Sequence, residues 1–103
     1  MPSRTIQFTT TKTKAYEDTS FVTGDSPRVL EVRDDLSNKP ANAGYFINDG
    51  NGDIIVQIYN NDQNDYGDQH TIKAGEMVQL NGLNIRRIKL TWVTNSAYRI
   101  LVG

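Results

Sequence analysis

The chain has 103 residues, 37% of them hydrophobic, with a formal net charge of -1 and no cysteine. That length suits one domain around one core. The near-neutral charge gives no global attraction to nucleic acid or to an anionic membrane, and disulfides, thiolate metal sites and a cysteine nucleophile are excluded outright.

Mean hydropathy is low, at -0.55, which suits a thin layered core with many solvated positions. No apolar run approaches the roughly 20 residues of a membrane-spanning helix. The stretch Met1-Pro2-Ser3-Arg4-Thr5 lacks the apolar centre of a secretory signal. The expectation is a protein made in a cytoplasm, with no membrane and no nucleic acid among its partners.

Residues 5–10 read as a first strand, with Ile6 and Phe8 on one face. The following Thr9, Thr10, Thr11, Lys12, Thr13 and Lys14 are β-prone but have nothing apolar to bury. They are either an edge strand or an extended arm that orders against a neighbouring subunit. Residues 1–14 are therefore set apart from a domain over residues 15–103.

A second short strand is expected around Ser20-Phe21-Val22, then a turn at Gly24-Asp25-Ser26-Pro27. Residues 28–33 alternate, with Leu30 and Val32 opposed to Val29, Glu31 and Arg33, and read as a strand. Residues 34–42, with Asp34-Asp35 and Asn38-Lys39-Pro40, read as a loop.

The centre of the chain is a pair of apolar runs around Asp49-Gly50-Asn51-Gly52. The second run alternates strictly, with Ile54, Val56 and Ile58 on one face and Ile55, Gln57 and Tyr59 on the other. The turn residues tolerate positive φ, so the pair reads as a β-hairpin. Residues 60–70 are polar without periodicity and read as a surface loop.

Thr71-Ile72-Lys73 and Met77-Val78-Gln79-Leu80 flank Ala74-Gly75-Glu76 and read as another hairpin. Asn81-Gly82 is a turn. Residues 84–93 form a long strand with Ile88, Leu90 and Trp92 inward, and a last strand carries Tyr98, Ile100 and Val102 inward. No helical period persists over three turns. The pattern predicts an all-β, single-domain antiparallel β-sandwich, jelly-roll-like, of about eight short strands.

Chemistry is sparse. Asp62, Asn64, the Tyr66 carbonyl and Asp68 alternate as calcium ligands do, but the twelfth position of that loop is Lys73 rather than a bidentate Glu, and no metal or other cofactor is expected. His70 is the lone histidine and no serine sits in a nucleophile motif, so no enzyme is expected and no catalytic residue is assigned. Gly50-Asn51-Gly52 lacks the Lys and Ser/Thr of a phosphate loop. Tyr66, set among polar residues, is the candidate for stacking a sugar ring. Between Pro40 and Ile72 there is no Lys or Arg, whereas Arg4, Lys12 and Lys14 lie at the start and Arg86, Arg87, Lys89 and Arg99 near the end. These are either solvated faces or complementary edges of an assembly.

The second half carries a resemblance. Ala43-Gly44-Tyr45-Phe46-Ile47-Asn48-Asp49-Gly50, Ile54-Ile55-Val56-Gln57-Ile58, Tyr66-Gly67-Asp68, Thr71-Ile72-Lys73-Ala74-Gly75-Glu76, Leu83-Asn84-Ile85 and Ser96-Ala97-Tyr98-Arg99-Ile100-Leu101-Val102 together resemble small β-sandwich virion proteins of tailed bacteriophages. These are capsid decoration proteins and head or tail accessory proteins. The resemblance covers about residues 43–103 and brings no catalytic residues or cofactor with it. It implies a non-enzymatic structural protein synthesised in a host cytoplasm and resident on the virion, whose partners are copies of itself and other virion proteins. The alternative is a carbohydrate-binding module for host-surface attachment, with a glycan as partner.

Overall fold

The computed structural model describes residues 13–103. Among them nine strands form: β1 (Lys14–Phe21), β2 (Arg28–Leu30), β3 (Gly44–Asn48), β4 (Ile54–Asn60), β5 (Asp65–Tyr66), β6 (His70–Ile72), β7 (Met77–Gln79), β8 (Ile85–Trp92) and β9 (Ser96–Val102), with a 3-10 turn (Thr23–Asp25) before β2 and one α-helical turn, α1 (Val32–Asp35), after it. The expected strand over residues 5–10, and Thr9, Thr10, Thr11 and Lys12 of the arm, lie outside the described residues. Thr13 is exposed, and Lys14 already belongs to β1, paired with Val102.

The first sheet has the order β1-β9-β3-β7 and the second β2-β8-β4-β5, with β6 on the same edge of β4 as β5. All pairings are antiparallel. β5 and β6 behave as one interrupted strand. Tyr59 pairs with Tyr66 and Val56 with His70, so Gln57 and Ile58 face Gly67, Asp68 and Gln69. That extra residue is a β-bulge. Counting the two as one position leaves four strands per sheet, and every connection but the one from β4 through β5 to β6 passes from one sheet to the other. This is the double-sheet jelly roll that alternating short strands predict.

The core lies between the sheets, where the period-two pattern sends one face of each strand. Phe46 from β3, Ile54 and Val56 from β4, Ile88 and Leu90 from β8, and Tyr98, Ile100 and Val102 from β9 are all buried. Trp92 packs only partly against this core.

Four local expectations are corrected by the pairing. The central apolar runs do not form a hairpin: β3 pairs with β7 and β9, and β4 with β5, β6 and β8. Asp49-Gly50-Asn51-Gly52 instead carries the chain across the sandwich, against the neighbouring crossing from β8 to β9. A Cβ on Gly52 would lie 2.1 Å from Thr94 Oγ1 and 2.5 Å from the Asn95 carbonyl oxygen, so these glycines serve close approach of two crossings. Ala74-Gly75-Glu76 is likewise a crossing, since β6 and β7 lie in different sheets.

The strand expected over residues 28–33 stops at Leu30. The chain then coils so that Val32 and Leu36, one helical turn apart, are both buried. Ser37 (φ 60°) and Asn38 (φ 68°) close that turn in the left-handed region, with the Asn38 N–H donating to the Arg33 carbonyl at 2.9 Å. Finally, residues 60–70 are not wholly loop: a tight turn after β4 returns the chain as β5, and His70 lies in β6.

Candidate functional site

The sandwich has two open sides, and the residues on them differ in kind. One runs between β1 and β2. Here Arg28 of β2 donates to Asp18 of β1 at 2.5 Å and to the Tyr98 hydroxyl of β9 at 2.9 Å. Its other terminal nitrogen lies 3.2 Å from Asp25, and the guanidinium sits 5.5 Å from the Phe21 ring centroid. Tyr98 meets Phe21 edge-on at 5.8 Å and stacks on Phe46 at 6.0 Å. Further along β1, the Tyr16 hydroxyl donates to Asp35 of α1 at 2.5 Å.

These contacts tie the two sheets together. They also perturb the titrations. Burial pushes the Asp18 carboxyl up, but the Ser20 N–H and the Arg28 guanidinium outweigh it and hold the group below the usual carboxylate range. Burial raises the Tyr98 phenol, offset in part by Arg28, and burial together with the Asp35 carboxylate raises the Tyr16 phenol.

The opposite side, between the β5–β6 edge and β7, is open. A groove of about 280 Å³ enters the core there. The buried Phe46, Val56 and Leu80 line it together with Val78 and Leu83, and Gly67, Asp68 and His70 of the bulged β5–β6 edge complete its rim. The lining is mostly apolar. Leu83 in the lining is 37% exposed, and Met77, paired with Ile47 on the outer face of β7, is 57% exposed. No salt bridge joins β6 to β7 among the described residues.

Between the two sides, a buried polar knot fixes the crossings. Asn48 at the end of β3 is fully buried. Its Nδ2 donates to the Gly52 carbonyl at 2.7 Å and the Ile72 carbonyl at 2.9 Å, and its Oδ1 accepts from the Gly50 N–H and the Ser96 hydroxyl. All four hydrogen-bonding positions of the amide are used, as a buried Asn requires.

Tyr66 lies on β5, half-buried rather than standing free in a loop. Its ring meets Tyr59 edge-to-face at 4.9 Å, and Lys89 Nζ hangs 5.5 Å from its centroid. Burial raises its phenol, with the charge of Arg87 working the other way. The rest of that outer face is basic: Arg87 pairs with Glu31 and lies 4.8 Å over Tyr59, while Arg86 reaches Asn64 at 3.2 Å.

The alternating oxygens of residues 62–68 are not gathered. Asp62 accepts from Asn84, Asn64 from Arg86, and Asp68 stands at the groove rim beyond Tyr66. Among the described residues no three His, Asp or Glu side chains meet as a metal site, and none of them gives His70 a carboxylate or hydroxyl partner. No helix among them is long and apolar enough to cross a membrane. Sequence reasoning weighed Asp68 as a calcium ligand and His70 as a catalytic base and assigned neither, and it read the apolar groove residues simply as core. The signal that was available is Met77, a large apolar residue that alternation with Val78 and Leu80 sends outward.

No protein-family model and no curated protein matches the chain. Among solved structures it is similar to the crystal structure of PirA, at 13% identity over 87% of this chain and 82% of that one, with a TM-score of 0.42. A likeness at that level supports no inference about what this chain does.

Proposed function

We propose that this jelly roll is a non-enzymatic structural protein that acts by self-association and by docking on a larger particle, as a capsid decoration or head or tail accessory protein of a tailed bacteriophage virion. The observation that carries the reading is the asymmetry of the sandwich. One side is tied shut by an aromatic and ion-pair network, while the other keeps an apolar groove between two strand edges. A groove of that kind suits burial against another protein surface. Jelly rolls serve capsids and lectins alike, so the fold alone chooses neither, and the resemblance of residues 43–103 to virion proteins favours the first.

Sedimentation of the purified full chain across a wide concentration range tests the reading. A concentration-dependent oligomer is expected, and a strict monomer at millimolar protein overturns it. The carbohydrate reading has one observation in its favour, the Tyr59–Tyr66 aromatic pair on a polar outer face. A glycan array with the wild type and Tyr66→Ala decides it, since loss of a stacking ring abolishes binding.

A further inference from the structure

We infer that residues 1–12 of a second copy of this chain fill the apolar groove, with Ile6 and Phe8 entering it and the main chain pairing along the outer edge of β7. The inference deepens the self-association reading and rests on it. The edge of β7 is suited to a fifth strand. The Leu80 N–H donates to the Gly44 carbonyl at 2.8 Å and the Asn48 N–H to the Glu76 carbonyl at 2.9 Å. Antiparallel alternation then turns the N–H and C=O of Met77 and Gln79 away from β3, toward the open edge. The facing β5–β6 edge is broken by the bulge at Gly67, Asp68 and Gln69, which leaves β7 as the straight template.

The segment has the matching pattern. Ile6 and Phe8 share one face, with Thr5, Gln7 and Thr9 on the other, so a strand added to β7 presents two large apolar groups to the groove and a polar face to water. Charge agrees. Residues 1–12 carry Arg4 and Lys12 and no acid, whereas the rim contributes Asp68, with Asp65 and Glu76 on the adjoining edges.

Reach assigns the segment to a neighbour. In the order β1-β9-β3-β7, a strand added beyond β7 lies four spacings, about 19 Å, from β1. From Phe8 to Lys14 the chain spans about 20 Å only when fully extended, which leaves nothing to round the end of the sheet. From Thr10 it spans about 14 Å and falls short. A neighbouring copy has no such limit, and exchange of arms head-to-tail closes a ring or, reciprocally, a pair.

The absence of cysteine makes the test direct. Full-length Gln7→Cys and Met77→Cys proteins, one of them nitrogen-15 labelled, are mixed and treated with a short bismaleimide. A mixed dimer joined through those two cysteines is expected. Full-length Ile6→Asp/Phe8→Asp should weaken the oligomer at least tenfold with its melting temperature unchanged at low concentration, and Gln79→Pro, which removes an outward N–H only, should do the same. An oligomer that keeps its affinity in both variants and gives no Gln7–Met77 product overturns the arm while leaving self-association standing. A cross-link formed within one chain of the double-cysteine protein at high dilution also overturns it. A full chain that stays monomeric overturns both.

Discussion

The β1–β2 side and the β6–β7 side of the sandwich solve the same problem in opposite ways. Both end in edge strands, one from each sheet. Across the first, Arg28 reaches Asp18, Asp25 and Tyr98, and Tyr16 reaches Asp35, so charge and hydroxyl groups bridge the layers and the aromatic rings of Phe21 and Tyr98 fill the space beneath. Across the second, nothing charged bridges β6 and β7 among the described residues, and apolar residues face a groove. The closed side reads as stability. The open side is the one that the proposed self-association would use, since covering a groove this apolar is favourable.

Removing the keystone of the closed side should have the largest effect. Tyr98 is 2% exposed, touches two aromatic rings and anchors Arg28. Tyr98→Ala is expected to cost about 3–5 kcal/mol of unfolding free energy, measured by denaturant titration. Tyr98→Phe, which keeps the ring and loses one hydrogen bond to a charged group, should cost about 1–2 kcal/mol. Equal losses in the two variants would mean that the hydroxyl, not the packing, closes this side.

Asn48 ties both sides to the crossings. Asn48→Leu keeps the volume but strips partners from the buried Gly52 and Ile72 carbonyls, and is expected to cost about 2–3 kcal/mol. Because Ile72 lies on β6, the variant should also raise hydrogen exchange along β6 more than along β1, which amide exchange would resolve. Uniform exchange would show that the knot supports the whole sandwich rather than the open side.

How much of this contrast the residues announced depends on range. Strict alternation in β4, β8 and β9 made their inward faces legible, and Tyr98, Ile100 and Val102 are buried as that pattern requires. Partnership was not legible. Asp49-Gly50-Asn51-Gly52 has the chemistry of a tight turn, but turn residues report only that the chain reverses, not whether it returns in the same sheet. What sends it across is the Asn48–Ser96 hydrogen bond and the close passage of Gly52 past Thr94 and Asn95, contacts more than 40 residues apart in sequence. Residues 28–33 alternate well enough for a strand, yet the i,i+4 pair Val32 and Leu36 decided for a helical turn. The groove was invisible for the same reason: Phe46, Val56 and the pair Leu80 and Leu83 come from three separate segments and look like core until two edges fail to meet.

Acid should act on the closed side, and alkali there and at Tyr66 of β5, all by less. The Asp18 carboxyl titrates below its ordinary value of about 3.9 in the folded state. The stability it contributes is therefore fully present above that value and is lost as pH falls through the lower folded one. Tyr16 and Tyr98 are raised, so their contribution is present at neutral pH and is lost as pH rises above about 10. Thermal melts should be flat between about pH 5 and 9 for these groups. Asp18→Asn should flatten the acid limb below about pH 4; an unchanged acid limb would place the acid-sensitive group elsewhere.

The smallest change in stability is expected on the open side. Met77→Ser and Leu83→Ser alter exposed side chains, and at concentrations where the protein is monomeric each should leave the unfolding free energy within about 0.5 kcal/mol. Their effect should appear instead in association, as a weaker oligomer at high concentration. A loss above about 1 kcal/mol in the monomer would mean that these two side chains pack against the rest of the protein in solution, which would make the two sides alike. A silent monomer with weakened assembly separates them, because only a surface kept for a partner loses binding without losing stability.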